Sequence, residues 1–350
     1  MELSLSVKIQ KRLGKFQLQV QFEAEDERLA LLGASGCGKS LTLRCIAGIL
    51  TPDEGCIVLD GQVLFDSAAK VNLPPQRRRV GYLFQQYALF PHMTVQQNIA
   101  AAAREQAHRK ETVARLLHRL QLEEVAGNRP GQLSGGQQQR TALARILASD
   151  PRILLLDEPF SALDSYLKYQ LELELAEILE SFSGSILWVS HDRDEVFRNC
   201  QRVCVIDRGK SSPVQSLSQL FHTPDTEAAA RLSGCKNFAD ALPQGKQVLL
   251  PAWNLTLDCD RFVSPQVTRM GVRAHFVCPA QGPGENAFFC RTVRVVEDVF
   301  STIVLLLPEG SVSGAPLLRM ELEKMAWRAL EERDRLWVSI APRDILLFSE

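Results

Sequence analysis

Gly33-Ala34-Ser35-Gly36-Cys37-Gly38-Lys39-Ser40 decides how this chain is read. The string fits G-x-x-x-x-G-K-[ST] and lies between the short apolar run Leu29 to Leu32 and a helical run from Leu41 to Ile49. A buried strand therefore delivers the chain into a glycine-rich turn that opens a helix. The glycines let backbone N–H groups turn inward around phosphate oxygens, and the helix N-terminus adds a favourable dipole. Lys39 is placed to reach the β and γ phosphates and Ser40 to hold Mg2+. The nucleotide-binding set is Gly33, Ala34, Ser35, Gly36, Cys37, Gly38, Lys39, Ser40 and Leu41. Cys37 is either a small filler or a thiolate stabilised by the surrounding N–H donors, in which case thiol reagents inactivate the protein and ATP protects it.

Further along, Ile153-Leu154-Leu155-Leu156-Asp157-Glu158 reads as a buried strand with two carboxylates at its C-terminal end. Ligands of open α/β sheets bind at that end. Asp157 is suited to binding Mg2+ through water, and Glu158 to polarising a water that attacks the γ phosphate. A second apolar run, Ile186 to Val189, ends in Ser190-His191, so His191 is a candidate donor to a phosphate oxygen. The helix-like stretch Tyr166 to Leu179 between these runs makes a β-α-β unit and implies a parallel sheet.

The first strands announce themselves by alternation, in Leu3, Leu5, Val7, Ile9 and again in Phe16, Leu18, Val20, Phe22. Val113, Leu116, Leu117 and Leu120 recur at helical spacing, which predicts a helical subdomain over about 86–150. Beyond about 225 prolines punctuate short alternating runs, as expected of a small all-β barrel or sandwich. The boundary is expected near 230, giving domains 1–230 and 231–350. With 350 residues, each part is long enough to bury a core.

Composition excludes several classes. Formal charge is -1 from 40 basic and 41 acidic residues, with no basic block to serve as a nucleic-acid arm, so no nucleic-acid partner is expected. Apolar runs fall far short of the roughly 20 residues that span a bilayer, and the start lacks a signal-peptide pattern, so a cytoplasmic protein is expected. Nine cysteines without metal-ligand spacing read as reduced, mostly buried thiols.

Leu133-Ser134-Gly135-Gly136-Gln137, followed by Gln138-Gln139-Arg140, stands between the phosphate loop and the Asp-Glu strand. With those motifs it resembles the signature of the ATP-binding cassette family. The resemblance runs through the first 230 residues: Gln85 matches the Q-loop glutamine, Ser161-Ala162-Leu163-Asp164 the D-loop, and His191 the switch histidine. It implies an α/β P-loop NTPase cassette with a helical subdomain, followed by a small all-β domain of OB-like type. It also implies two cassettes paired head to tail around two MgATP, with Ser134, Gly135, Gly136, Gln137 and Asp164 completing the nucleotide site. Glu158 would be the base, with His191 and Gln85 ordering the γ phosphate, water and metal, and Ser40, Gln85 and Asp157 around Mg2+. Adenine would stack on an aromatic residue before the phosphate loop; Phe16 is placed for this, or for the core.

In importer cassettes the region matching Gln85 to His92 helps receive a coupling helix, which points to docking of an integral membrane permease near Tyr87 to Pro91. An extracytoplasmic solute-binding protein would then act indirectly. Lys11 to Phe16, Arg77-Arg78-Arg79-Val80-Gly81-Tyr82, Arg231 to Asn237 and Met270 to His275 resemble molybdate, tungstate and sulfate importer cassettes. Molybdate is the solute this implies, with a polyamine, iron or sugar importer, or a soluble cassette ATPase acting on nucleic acid or ribosomes, as alternatives. The serine-alanine-arginine-asparagine string of dedicated molybdate-binding modules is absent, so the C-terminal domain is either a regulatory oxyanion site or a purely structural barrel.

Overall fold

The computed structural model describes residues 4–104, 107–160, 165–180, 182–330 and 333–349, with side chains of 165–167 excepted. The chain divides into two compact units, Met1–Leu217 and Ser218–Glu350.

The first unit opens with β1 (Ser4–Leu13) and β2 (Phe16–Glu25), antiparallel in register from Ser4↔Glu25 to Leu13↔Phe16. Their alternation puts Leu5, Val7 and Ile9, with Leu18, Val20 and Phe22, into one core, since successive strand residues face opposite sides. The short strand β3 (Arg28–Leu32) leads into α1 (Lys39–Ala47). Then come β4 (Glu54–Leu59), β5 (Gln62–Asp66), β6 (Val71–Asn72) and β7 (Val80–Leu83). Three helices follow within the expected helical region: α2 (Val95–Ala102), α3 (Arg109–Arg119) and α4 (Gly135–Ala148). In α3, Val113, Leu116 and Leu117 form the buried stripe that the spacing announces, with Leu120 buried at its C-cap.

The unit closes with β8 (Ile153–Asp157), α5 (Ser165–Glu180), β9 (Ser185–Ser190), α6 (Arg193–Asn199), β10 (Arg202–Asp207), β11 (Lys210–Ser211) and β12 (Gln215–Ser216). Strands β10, β3, β9, β8 and β7 are neighbours in that order and all parallel. Their sides are covered, so they read as continuous apolar runs: Leu154, Leu155 and Leu156 are all fully buried. The antiparallel strands β6, β5, β4, β1 and β2 join this parallel half through β11, which pairs with β2 and β10.

Arg78 explains how α1 ends. Its guanidinium, fully buried, donates to the carbonyls of Cys45 and Ile46 at 2.9 Å each, and also to Leu73 O and Asn72 Oδ1. The last carbonyls of a helix lack intrahelical partners, and a cation there also suits the helix dipole.

The second unit holds two short helices, α7 (Leu217–His222, entering from the first unit) and α8 (Glu227–Leu232), before its strands. The division lies upstream of residue 230 because these helices are tied to the β region. Arg273 donates to Phe221 O and Ser233 O, and Arg269 Nε lies 3.0 Å from Glu227. Strands β13 (Asn237–Asp240), β14 (Leu242–Gln244), β15 (Gln247–Leu250), β16 (Leu255–Asp258), β17 (Arg269–Val272), β18 (Val277–Ala280), β19 (Ala287–Glu297), β20 (Ser301–Pro308), β21 (Leu318–Glu323), β22 (Arg335–Ile340) and β23 (Leu346–Phe348) build three small sheets. The largest runs β18-β22-β19-β20-β21. A core of its own, around Trp253, Met270, Val304 and Val338, makes this an all-β domain. Among the described residues no helix is long and apolar enough to cross a membrane.

Candidate functional site

The parallel register gathers the site. Leu32 of β3 is level with Ser190 of β9, Val189 with Asp157 of β8, and Leu156 with Leu83 of β7. The residues that leave the C-terminal ends of these strands are therefore Gly33, His191, Glu158 and, after Phe84, Gln85. Four separate sequence motifs meet along one edge of the sheet.

In the phosphate loop, Gly36 has φ 78 and Gly38 φ 114, the left-handed region that favours glycine. A Cβ on Gly38 would come within 2.5 Å of Leu18 Cδ1 and 3.3 Å of Phe16 Cζ, and one on Gly33 within 2.3 Å of Ile206 O. The turn is thus a bare backbone cradle. Gly38 caps α1 without any side-chain hydrogen bond, and the first turn of α1 carries no acid. That leaves the positive end of the helix to an anion. Lys39 is 4% exposed and its Nζ donates to Gly33 O at 2.7 Å and Ala34 O at 3.0 Å, so the ammonium is held inside the loop.

Ser40 Oγ donates to Asp157 Oδ1 at 2.7 Å, and Tyr82 OH donates to Asp157 Oδ2 at 2.7 Å. Burial, with the carboxylate beside it, pushes the Tyr82 hydroxyl well above the usual phenol range, so it stays a donor. Asp157 is fixed on both oxygens, and with Ser40 it offers the hard oxygen ligands that Mg2+ takes. Glu158 sits next along the chain at φ 47, a strained backbone for a non-glycine residue, held by its own N–H to Val189 O at 3.0 Å. Its Oε1 lies 4.0 Å from Lys39 Nζ and 3.4 Å from His191 Nδ1. The carboxylate thus stands between the phosphate-loop lysine and the histidine.

Phe16 is half-buried and packs against the core, yet it also lines, with Ala34, Ser35, Gly36 and Cys37, a cleft of about 650 Å³. The core packing read from its position is present, and the ring also borders that cleft. Leu41 is half-buried against the same core. Cys37 is 6% exposed, and burial raises its thiol despite the nearby Lys39, so the structure favours the filler reading over the reactive thiolate. All nine cysteines are free, most of them buried.

Ser134 caps α4. Its hydroxyl accepts from Gln137 N, its N–H donates to Gln137 Oε1 at 2.9 Å, and Gly135 and Gly136 form the first turn. A Cβ on Gly136 would reach 2.7 Å from Leu171 Cδ2 of α5, so any larger residue there has to push that leucine aside. Asp164, with 161–163, lies outside the described residues. His191 is followed by Asp192, which caps α6 and receives Lys168 Nζ at 2.5 Å. Sequence reasoning missed Tyr82 and Arg78 as supports, because only strand register and helix end geometry bring them to Asp157 and α1.

A family model described as "ABC transporter" matches residues 17–161. A probable sulfate/thiosulfate import ATP-binding protein of Chlorella vulgaris is 41% identical over 235 residues, covering 65% of this chain and 97% of that protein. The chain belongs to the ABC transporter family. The molybdenum import ATP-binding protein of Paramagnetospirillum magneticum is 41% identical over 218 residues, 61% of this chain and 60% of that protein. A spermidine/putrescine import ATP-binding protein of Nitratidesulfovibrio vulgaris is 42% identical over 220 residues, 62% and 58% respectively. The cassette thus spans about three-fifths of these two relatives' length. A solved dimeric ATP-binding cassette in a post-hydrolysis state with ADP and Pi matches with TM-score 0.50 and 28% identity, over 61% of this chain and 98% of that one. The first unit has the ABC cassette fold.

Proposed function

We propose that this chain is the ATP-hydrolysing subunit of an importer whose membrane permease is a separate polypeptide. The observation that carries the reading is the convergence of Lys39, the Ser40–Asp157 pair, Glu158, His191 and Gln85 on one sheet edge. The loop backbone and Lys39 hold the β and γ phosphates, and Phe16 borders the cleft where adenine stacks. Ser40 and Asp157, with Gln85, would hold Mg2+, which when bound neutralises charge on the phosphates. Glu158 accepts a proton from water as its oxygen bonds to the γ phosphorus and the bond to the bridging oxygen breaks, releasing ADP. His191 and Gln85 orient the phosphate and water.

Ser134, Gly135, Gly136 and Gln137 would complete the site of a second copy, paired head to tail, as would Asp164. The dimeric solved cassette supports this arrangement. Half of the charge stabilisation then arrives only on closure, which couples hydrolysis to motion. The exposed Phe90 and its neighbours from Tyr87 to Pro91 are the docking segment for the permease on the cytoplasmic face, and a solute-binding protein acts through that permease. No nucleic acid partner is part of this reading.

The solute class is proposed as an oxyanion, molybdate first, on the subgroup-like strings named above and the molybdenum relative. A polyamine is the second reading, favoured by the spermidine/putrescine relative at comparable identity. Uptake of labelled molybdate, sulfate and spermidine by cells carrying either the native chain or Glu158→Gln separates them. Selective loss of molybdate uptake is the expected result; selective loss of spermidine uptake would replace it with the polyamine reading.

A further inference from the structure

We propose that Arg145 is a positioning residue that holds the segment carrying Gln85 in its working conformation and ties it to the helix that begins at Ser134. The proposal rests on the role given to Gln85 above. Immediately after Gln85 and Gln86, Tyr87 and Ala88 take φ 57 and φ 47. Two consecutive non-glycine residues in the left-handed region are costly, because each Cβ crowds its own carbonyl. Tyr87 is buried and its hydroxyl has no hydrogen-bond partner among the described residues, so this side chain does not offset the cost through its polar end. Such backbone persists only where the surroundings over-determine it.

Beside the local bonds from Tyr87 N to Phe84 O and from Ala88 N to Gln86 O, Arg145, in the last turn of α4, supplies a constraint from outside the segment. Its Nη1 donates to Ala88 O at 2.8 Å and its Nη2 to Tyr87 O at 3.1 Å, while the guanidinium lies 5.2 Å from the Phe90 ring centroid. A planar fork can bridge two adjacent carbonyls in a way that the point charge of lysine cannot. Farther along, Asn98 of α2 clamps the other end: it accepts from Phe90 N and donates to the carbonyls of Phe90, Met93 and Thr94. The segment 87–94 is therefore pinned twice, and of these two clamps Arg145 is the one beside Gln85. Because Arg145 and Ser134 stand at opposite ends of α4, displacement of the signature end is passed to Gln85 through one rigid helix.

The test is phosphate release from MgATP by the full-length chain in a double-mutant cycle of Arg145→Met and Gln85→Ala, with Arg145→Lys alongside and thermal melts to confirm folding. Arg145→Met is expected to lower kcat roughly tenfold while leaving KM for ATP within about twofold, since a displaced positioning group weakens the transition state and not ground-state binding. Arg145→Lys should recover only part of the loss, and it carries the cycle if the methionine variant does not fold. In the Gln85→Ala background the Arg145 substitution should cause little further loss. Multiplicative losses, or full turnover in Arg145→Met, would overturn the proposal while leaving Gln85 in place. Full turnover in Gln85→Ala alone would remove Gln85 from the chemistry, and the proposal with it, without touching the Glu158 assignment.

Discussion

Single side chains at this site are set by neighbours that lie far away in sequence. Asp157 has both oxygens engaged, by Ser40 117 residues away and by Tyr82 75 residues away. Glu158 is carried on a left-handed backbone that turns it out of the strand and into the space between Lys39 and His191. Cys37 shows the opposite case, a suggestive residue that burial disarms. Alkylation follows the thiolate, so a raised pKa and low exposure both slow it. Iodoacetamide treatment of the native protein near pH 8, followed by peptide mapping, should therefore modify the exposed Cys278 well before Cys37, and modification of Cys37 should accelerate as pH rises. Rapid labelling of Cys37 at neutral pH would restore the reactive reading. The candidate residues Lys39, Ser40, Asp157 and Glu158 were legible in the sequence because phosphate and metal chemistry dictates their type and spacing, whereas Gln85 was legible only through the family resemblance. Tyr82 was not, since an apolar-looking strand hides which of its residues faces the neighbouring carboxylate until β7 and β8 are laid in register.

Among the elements, those with strong periodicity were the readable ones. The continuous run Leu29 to Leu32 became β3, the alternation of the first strands became the β1–β2 hairpin, and the i, i+3, i+4 set Val113, Leu116 and Leu117 became the buried stripe of α3. Helix ends were less visible, because their partners come from elsewhere. Arg78 was noted only as part of a basic string, yet it is buried whole against the C-terminus of α1. Arg78→Ala removes the side-chain donor from Ile46 O and Leu73 O and one of the two donors from Cys45 O, which keeps Gly48 N, and each buried carbonyl left unmet is a loss of about 1–3 kcal/mol. Urea unfolding should register a loss on the order of 3 kcal/mol, with poorer ATP binding because α1 carries Lys39 and Ser40. A change below about 0.5 kcal/mol would contradict this account of the helix end, being no more than an ordinary surface substitution costs.

For the whole molecule, the composition of the second half announced a β-rich domain, and the three sheets agree with it. Its edge was harder to place because α7 and α8 look like linker, and it takes the donors of Arg269 and Arg273, with Ala230 buried against Phe238, Leu346 and Phe348, to attach them to the β region. The signature residues pose a problem that one chain does not solve. Ser134 satisfies its own helix start, and in the proposed reading its catalytic use falls in a second copy.

The central claim is that Glu158 takes the proton in a dimeric site shared between two cassettes. The most direct measurement follows phosphate release and sedimentation together in Glu158→Gln with MgATP. The expected result is retained ATP binding, turnover reduced by roughly 100-fold or more, and a stable dimer that the native chain forms only transiently. Turnover near that of the native protein would remove Glu158 as the base, and an inactive protein that binds ATP yet stays monomeric would contradict the shared site.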